Sequence, residues 1–214
     1  MEKQLFFTFD GIDGTGKSTQ SQMFCDWLSE LGYDVVTCRD PGTTGLGNRL
    51  REIVLHGEEL HIGTRAETLI YMAARAQMIV ETIRPALAAG KVVVSDRYLL
   101  ATAAYQGHGL GLPAHEIWDV GKFATEGLLP TQTFLFDLDV QVAAERLPAT
   151  KDRLEKRGAE YFEKVRQGFL SEAAKFPDRV SVIDAGRSIE EVHAAVRNAA
   201  EPIVADQAQR LRGN

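Results

Sequence analysis

A three-layer α/β fold, in which a five-stranded parallel sheet is flanked by helices, is predicted by three observations. Short runs rich in β-branched and aromatic residues alternate with helical periodicity along the chain, a glycine-rich turn joins the first run to the first helix, and three of the runs end in the charged residues Asp10, Arg39 and Asp96. Strands that alternate with helices form parallel sheets, because a parallel neighbour needs a crossover and a helix supplies it.

Taken in order, the apolar run 4–10 reads as the first strand and is stopped by the glycines after Asp10. A helix follows at 17–31, then a second strand at 34–39, Asp-Val-Val-Thr-Cys-Arg, and a helix at 46–55. The glycine-rich pieces at 42–47 and 107–111 read as loops on the binding face. A long helix is expected at 64–89, a third strand at 91–96, and helices at 99–106 and 114–125. The fourth strand is expected at 133–138 and a helix at 140–147. The densely charged piece 148–153 then separates that helix from one at 157–175, which makes the region 147–157 a candidate mobile lid. A fifth strand at 179–184 and a helix at 188–208 complete the series. Right-handed crossovers place ligands outside the carboxyl ends of the strands, where Asp10, Arg39 and Asp96 all lie.

The 214 residues suffice for one well-buried domain spanning 1–214, and no composition shift marks a second core. No apolar segment approaches a membrane span, and the first residues lack the pattern of a secretory signal, which points to a cytoplasmic protein. Cys25 and Cys38 have neither metal-ligand spacing nor a disulfide framework and are expected as buried thiols. With 30 acidic against 24 basic residues the net charge is -6, so a broad nucleic-acid-binding face is not expected and any anionic ligand must be small and locally gripped. The histidines show no zinc-site spacing.

The stretch Gly11-Ile12-Asp13-Gly14-Thr15-Gly16-Lys17-Ser18 fills every fixed position of the phosphate-binding loop G-x-x-x-x-G-K-[ST] between a strand and a helix. Glycines let successive N–H groups turn inward around a triphosphate, and the helix that opens at Lys17 adds its positive end. Lys17 would reach the β- and γ-phosphates and the Ser18 hydroxyl would hold Mg²⁺. The loop alone does not separate kinases from GTPases or motors. No N-K-x-D guanine-reading motif is present, and the chain is short for a motor. The strand Val92-Val93-Val94-Ser95-Asp96 is followed by Arg97. Asp96 could position Mg²⁺ or its water shell, and Arg97 could bridge donor and acceptor phosphates; the alternative is a surface ion pair after a core strand.

The ordered set Phe9–Thr19, Arg39-Asp40-Pro41-Gly42-Thr43-Thr44, Tyr71-Met72-Ala73-Ala74-Arg75-Ala76-Gln77, Asp96-Arg97-Tyr98, Ala104-Tyr105-Gln106-Gly107 and Asp152-Arg153-Leu154-Glu155 resembles the thymidylate kinases over nearly the whole chain. The resemblance implies a P-loop NTPase fold with a small lid. It also implies transfer of the γ-phosphoryl group of ATP to dTMP with Mg²⁺, and a homodimer formed through packed helices such as 64–89 and 114–125. By the same resemblance the phosphate loop from Gly11 to Thr19 holds ATP, and Arg187 is an adenine contact. Asp13 contacts the acceptor's 3′-hydroxyl, Arg39 grips its phosphate, and Arg51 is a second possible grip or a solvated residue. Tyr71 stacks on the base, or is plain core, with Arg75 one helical turn along. Tyr105 packs beneath the sugar, and Thr102 and Gln106 contact the base. The family usually has Glu at Asp10 and Asp40, Gly at Thr43 and Ser at Ala101, which bears on base preference. Pro148 stands where a lid arginine is expected, leaving Arg146, Lys151 or Arg153 to fill that role, of which Arg153 best matches a motif. Together the expected catalytic set is Lys17, Asp96, Arg97 and Arg153. A kinase for another monophosphate or a deoxynucleoside, a nucleotide-binding regulator without catalysis, and a nucleic-acid-processing ATPase are the competing readings.

Overall fold

The computed structural model of the chain describes residues 4–57, 60–147 and 157–212, with side chains described through Gln207. Strands β1 (Phe6–Asp10), β2 (Val35–Arg39), β3 (Val92–Asp96), β4 (Gln132–Asp137) and β5 (Val180–Asp184) form one sheet in the order β2-β3-β1-β4-β5, every pairing parallel. The chain leaves β1 for the far edge, returns through β3 to β1's side, and then crosses to β4 on the other side. The order therefore reverses at β1, and its carboxyl end is the switch point at which open α/β sheets bind ligands.

The central strand explains why the sheet is covered on both faces. Phe6, Phe7 and Phe9 are all fully buried, and the period-two alternation of a strand sends them to opposite sides. Phe7 and Phe9 join Phe24 of helix α1 (Lys17–Glu30) and Phe134 of β4, with Phe9 and Phe134 ring centroids 5.1 Å apart. Phe6 turns the other way and meets Tyr98 edge-on at 5.0 Å, beside Met78, Ile79 and Ile83. Burial of each such ring contributes about 1.5–3 kcal/mol. The first core layer is closed by helices α7 (Val140–Glu145), α8 (Ala159–Ala173) and α9 (Ile189–Arg212). The second is closed by α3 (Thr64–Met78), α4 (Arg84–Ala88) and α6 (Ala114–Thr125). Helix α2 (Gly45–His56) lies against α3, and α5 (Leu99–Thr102) follows β3.

Three helices differ from their sequence expectation. The helix expected at 64–89 is α3 and α4 joined by a π-helical turn, Ile79–Ile83. Pro85 has no N–H to return to the preceding turn and its ring crowds that turn's carbonyl, and widening the turn accommodates both. The helix expected at 99–106 is α5 continued as a second π-helical segment, Ala103–Gly109. Glycine permits this segment to lie directly on α8, since a Cβ at Gly109 would come 2.7 Å from both Tyr161 and Val165. The last helix also runs beyond 208, to Arg212. Cys25 and Cys38 are free and buried, and burial pushes their thiols up to about 11 and about 12. No helix among the described residues is long and apolar enough to cross a membrane.

Candidate active site

The phosphate loop occupies the switch point at the end of β1. Gly11 (φ 139°) and Gly14 (φ 84°) adopt backbone that favours glycine. A Cβ at Gly11 would come 2.5 Å from the Phe136 carbonyl oxygen, and one at Gly14 would come 2.2 Å from that of Ala143, so neither position has space for a side chain. Within the loop the Thr15 hydroxyl and the Lys17 ammonium both donate to the Ile12 carbonyl, at 2.9 and 2.7 Å. Helix α1 starts after Gly16 with no side chain capping its first N–H groups. Free donors and the helix dipole make that terminus an anion site. Above it opens a cavity of about 600 Å³ lined by the loop from Asp13 through Thr19, with Arg39, Arg51, Asp96 and Arg97 on one side and Arg146 and Arg187 on the other.

Arg97 is the junction of the site. Its guanidinium donates to the Gly11 carbonyl (2.9 Å), the Asp13 carboxylate (2.6 Å) and the Tyr105 hydroxyl (3.2 Å), and lies 5.0 Å over the Tyr105 ring. Its partner is thus Asp13 of the loop, across the strand ends, and not the adjacent Asp96. Burial alone would push the Asp13 carboxyl up, but the Arg97 and Lys17 cations outweigh it and hold Asp13 at about 2. Burial and the neighbouring Arg97 bring Lys17 down to about 8. The Asp96 Oδ1 atom is buried without a hydrogen-bond partner among the described residues. Asp10 is fully buried with neither carboxylate oxygen hydrogen-bonded among the described residues, and burial raises it to about 6.

A second cavity, of about 180 Å³, shares Asp13, Asp40, Arg51 and Arg97 with the first. Its remaining wall includes Tyr71, Arg75, Thr102, Tyr105 and Gln106, so α3 and the π-helical segment after α5 bring together residues more than twenty positions apart. Arg75 is almost wholly buried. It pairs with Asp40, donates to the Thr102 hydroxyl at 2.9 Å and the Tyr98 carbonyl at 3.3 Å, and touches the Met72 sulfur. Arg51, expected either as a second phosphate grip or as a solvated residue, is half-buried, donates to the Pro41 carbonyl at 3.0 Å and faces both cavities. Its pKa is lowered by burial and by Arg39 beside it, the mark of a crowded cationic pair.

Of the sequence-expected residues, Lys17, Asp96, Arg97, Ser18, Thr19, Arg39 and Arg187 lie on the larger cavity, while Asp13, Arg51 and Arg97 lie on both. Tyr71, Arg75, Thr102, Tyr105 and Gln106 lie on the smaller one. Gly11 and Ile12 shape the loop from beneath. Arg187 is exposed and paired with Asp184 at 3.1 Å. Arg153, Lys151 and Pro148 fall outside the described residues, as does most of the expected lid. Arg146, the one of the three lid-cation candidates among the described residues, reaches the cavity and donates to the Ala185 carbonyl at 3.3 Å. Sequence reading missed Glu67, buried between Gln106 and Arg157, because its partners lie 39 and 90 positions away.

The thymidylate kinase family model matches residues 9–196. The chain is 47% identical over 204 residues to a thymidylate kinase of Clavibacter michiganensis subsp. michiganensis, covering 94% of this chain and 96% of that one. It is 44% identical over 197 residues to a thymidylate kinase of Bifidobacterium longum (strain DJO10A), covering 91% and 96%. Its fold superposes on the crystal structure of thymidylate kinase from Ehrlichia chaffeensis with a TM-score of 0.76 at 32% identity, covering 92% of this chain and 98% of that one.

Proposed function

The chain belongs to the thymidylate kinase family and phosphorylates dTMP to dTDP with ATP, a step of dTTP biosynthesis; from that premise we propose how its residues divide the work. The observation that carries the proposal is the shared wall: Arg51 and Arg97 face both cavities, so two anions seated one in each meet at the same two cations. Phosphoryl transfer asks a protein for little beyond such positioning and charge neutralisation, and direct in-line transfer needs no covalent intermediate.

The larger cavity takes ATP. The α1 terminus and the loop N–H groups hold its phosphates, Lys17 neutralises the β- and γ-oxygens, and Arg187 lies toward the base end. The smaller cavity takes dTMP, with its phosphate at Arg51 and Arg97 on the shared wall and directed toward Arg39 of the larger cavity, its sugar over Tyr105 and against Asp13, and its base between Tyr71 and the Arg75, Thr102 and Gln106 edge. As the γ-phosphoryl group moves, Arg97, held by Asp13 on the wall that both cavities share, neutralises charge on donor and acceptor alike, and a lid cation supplies the other side. Arg146 supports that role from the described part of the chain, and Arg153 is the candidate from the lid.

Mg²⁺ fits the residues present: the exposed Ser18 hydroxyl stands at the start of α1 and the unpartnered Asp96 oxygen stands at the end of β3, enough for an ion that keeps most of its waters and binds phosphates. Bound there, it would neutralise charge on the phosphate oxygens. We further place the activity in the cytoplasm and assign a homodimer, supported by Leu69 (57% exposed), Val80 (60%) and Phe123 (86%) on the α3 and α6 side.

Turnover of dTMP, dUMP, dCMP, dAMP, UMP and thymidine with ATP and Mg²⁺ tests the assignment. Selective phosphorylation of dTMP, reduced by on the order of 10²–10³-fold in Lys17→Ala and Arg97→Ala, is expected for loss of a transition-state cation. ATP binding with no transfer to any acceptor would overturn it.

A further inference from the structure

We propose that Glu67 is a positioning residue for base recognition: by accepting from the Gln106 side-chain amide it fixes which end of that amide faces the acceptor pocket, and so decides which pyrimidine edge the pocket accepts. The proposal rests on the reading of the 180 Å³ cavity as the acceptor site.

Glu67 lies on α3 with 1% of its surface exposed. Gln106 Nε2 donates to its Oε1 at 2.9 Å, and Arg157 Nη2 donates to its Oε2 at 3.0 Å and its Oε1 at 3.4 Å. Arg157 is itself pinned, donating to the Tyr161 hydroxyl at 3.0 Å with its guanidinium 5.0 Å over that ring. An ion-paired carboxylate offers acceptors only, whereas a primary amide has one donating and one accepting end. The amide nitrogen must therefore face Glu67. The opposite end, Oε1, takes no hydrogen bond from a described residue and is left to the pocket that Gln106 lines. Turning the amide over would set two buried oxygens against each other and forfeit the bond.

The neighbouring recognition group has the opposite sense. A guanidinium has five N–H donors and no acceptor. Arg75 commits Nε to Asp40, both hydrogens of Nη2 to Tyr98 and Thr102, and one of Nη1 to the Met72 sulfur, leaving an Nη1 hydrogen free among the described residues. The pocket thus presents a fixed donor and, through Glu67, a fixed acceptor. A thymine or uracil edge, with a carbonyl at C4 and N–H at N3, satisfies both. A cytosine edge, with an amine at C4 and a bare N3, meets donor with donor and acceptor with acceptor. Mismatched buried polar groups are what gives a site strong rejection.

The test is the Glu67→Gln variant of the full chain, which keeps size and hydrogen-bonding capacity but lets residue 67 donate as well as accept, freeing Gln106 to turn. The readouts are kcat and KM for dTMP and for dCMP with ATP and Mg²⁺, and Tm. The ratio of kcat/KM for dTMP over dCMP is expected to fall by about tenfold or more, through KM for dTMP, with kcat and the KM for ATP little changed. Arg157→Ala, which removes the ion pair but keeps the acceptor, is expected to lower Tm and keep the ratio. An unchanged ratio in Glu67→Gln, or an equal fall in Arg157→Ala, would overturn the positioning role while leaving the kinase reading intact. A wild-type enzyme without preference for dTMP over dCMP would overturn both.

Discussion

Arg97 holds its backbone in the left-handed region at φ 70°, an unfavourable conformation for a side chain of its size. Its N–H donates to the Phe9 carbonyl and its carbonyl accepts from the Ser95 hydroxyl, so β1 and β3 over-determine the conformation and aim the guanidinium at the phosphate loop. The Asp-Arg pair was legible in the sequence as a functional candidate, but its true partner was not, since Asp13 is 84 positions away. The place of Lys17 on the cavity was legible because it depends only on a local motif. Its pKa was not, because the lowering to about 8 comes from burial and from Arg97. A cation with a lowered pKa is charged below that value and loses its proton above it. The kcat/KM for ATP, which reports the free enzyme, is therefore expected to fall as pH rises through about 8, and a pH profile checks this. A flat profile to pH 9.5 would remove Lys17 as the titrating group. Asp10 makes an opposite demand. Its folded pKa is raised from 3.8 to about 6 by burial, so the folded state binds the proton more tightly than the unfolded chain. That stabilisation is present below pH 3.8 and is lost as pH rises to about 6, a difference of about 3 kcal/mol by proton linkage. Asp10→Asn should flatten this decline and raise stability at pH 7 by about 1–2 kcal/mol, the amide still lacking a partner. Urea midpoints at pH 4.5 and 7 read the difference.

At the scale of elements, strand positions were legible because short, nearly continuous runs of β-branched and aromatic residues, ended by turn or charged residues, are what a parallel sheet covered on both faces requires. The π-helical segments were not, because a sequence period cannot distinguish a widened turn from a regular one. Yet the segment Ala103–Gly109 carries Tyr105 and Gln106, and its position is set by α8. Glu172 of α8, wholly buried, accepts from His108 at 2.8 Å, from Trp118 at 2.9 Å and from Lys175 at 2.7 Å. Gly168 lies directly beneath His108, and a Cβ there would come 2.5 Å from the His108 Cβ, an atom that cannot move without its backbone. Gly168→Ala should therefore destabilise the chain despite the better helix propensity of alanine, by about 1–3 kcal/mol for overpacking. It should also raise KM for dTMP several-fold while leaving KM for ATP unchanged, because α1 and the phosphate loop do not rest on this contact. Thermal melts and paired substrate titrations separate the two effects, and equal changes in both KM values would show that the segment does not position the acceptor alone.

At the scale of the whole molecule, reversal of strand order at β1 puts the phosphate loop, Arg39 and Asp96 at one rim, and that much follows from alternating strands and helices. The smaller cavity follows only from tertiary structure, since α3 and the segment after α5 must fold over the rim to form it. The helices that do so also leave apolar side chains outward. Leu69 and Val80 are about three helical turns apart, which returns them to nearly one face. Phe123, 86% exposed, stands on α6, which packs against α3. A ring of that size left in water forgoes about 1.5–3 kcal/mol of burial, and two copies related by a two-fold axis would recover it twice. If this face is the dimer contact, Phe123→Asp places two carboxylates in an apolar interface. Sedimentation velocity should then give a mass near one chain for the variant and near two for the parent. Because α3 carries Tyr71 and Arg75, the monomeric variant should bind dTMP more weakly, with ATP binding retained. A parent that sediments as one chain, or a variant that still sediments as two, would place the contact elsewhere or remove it.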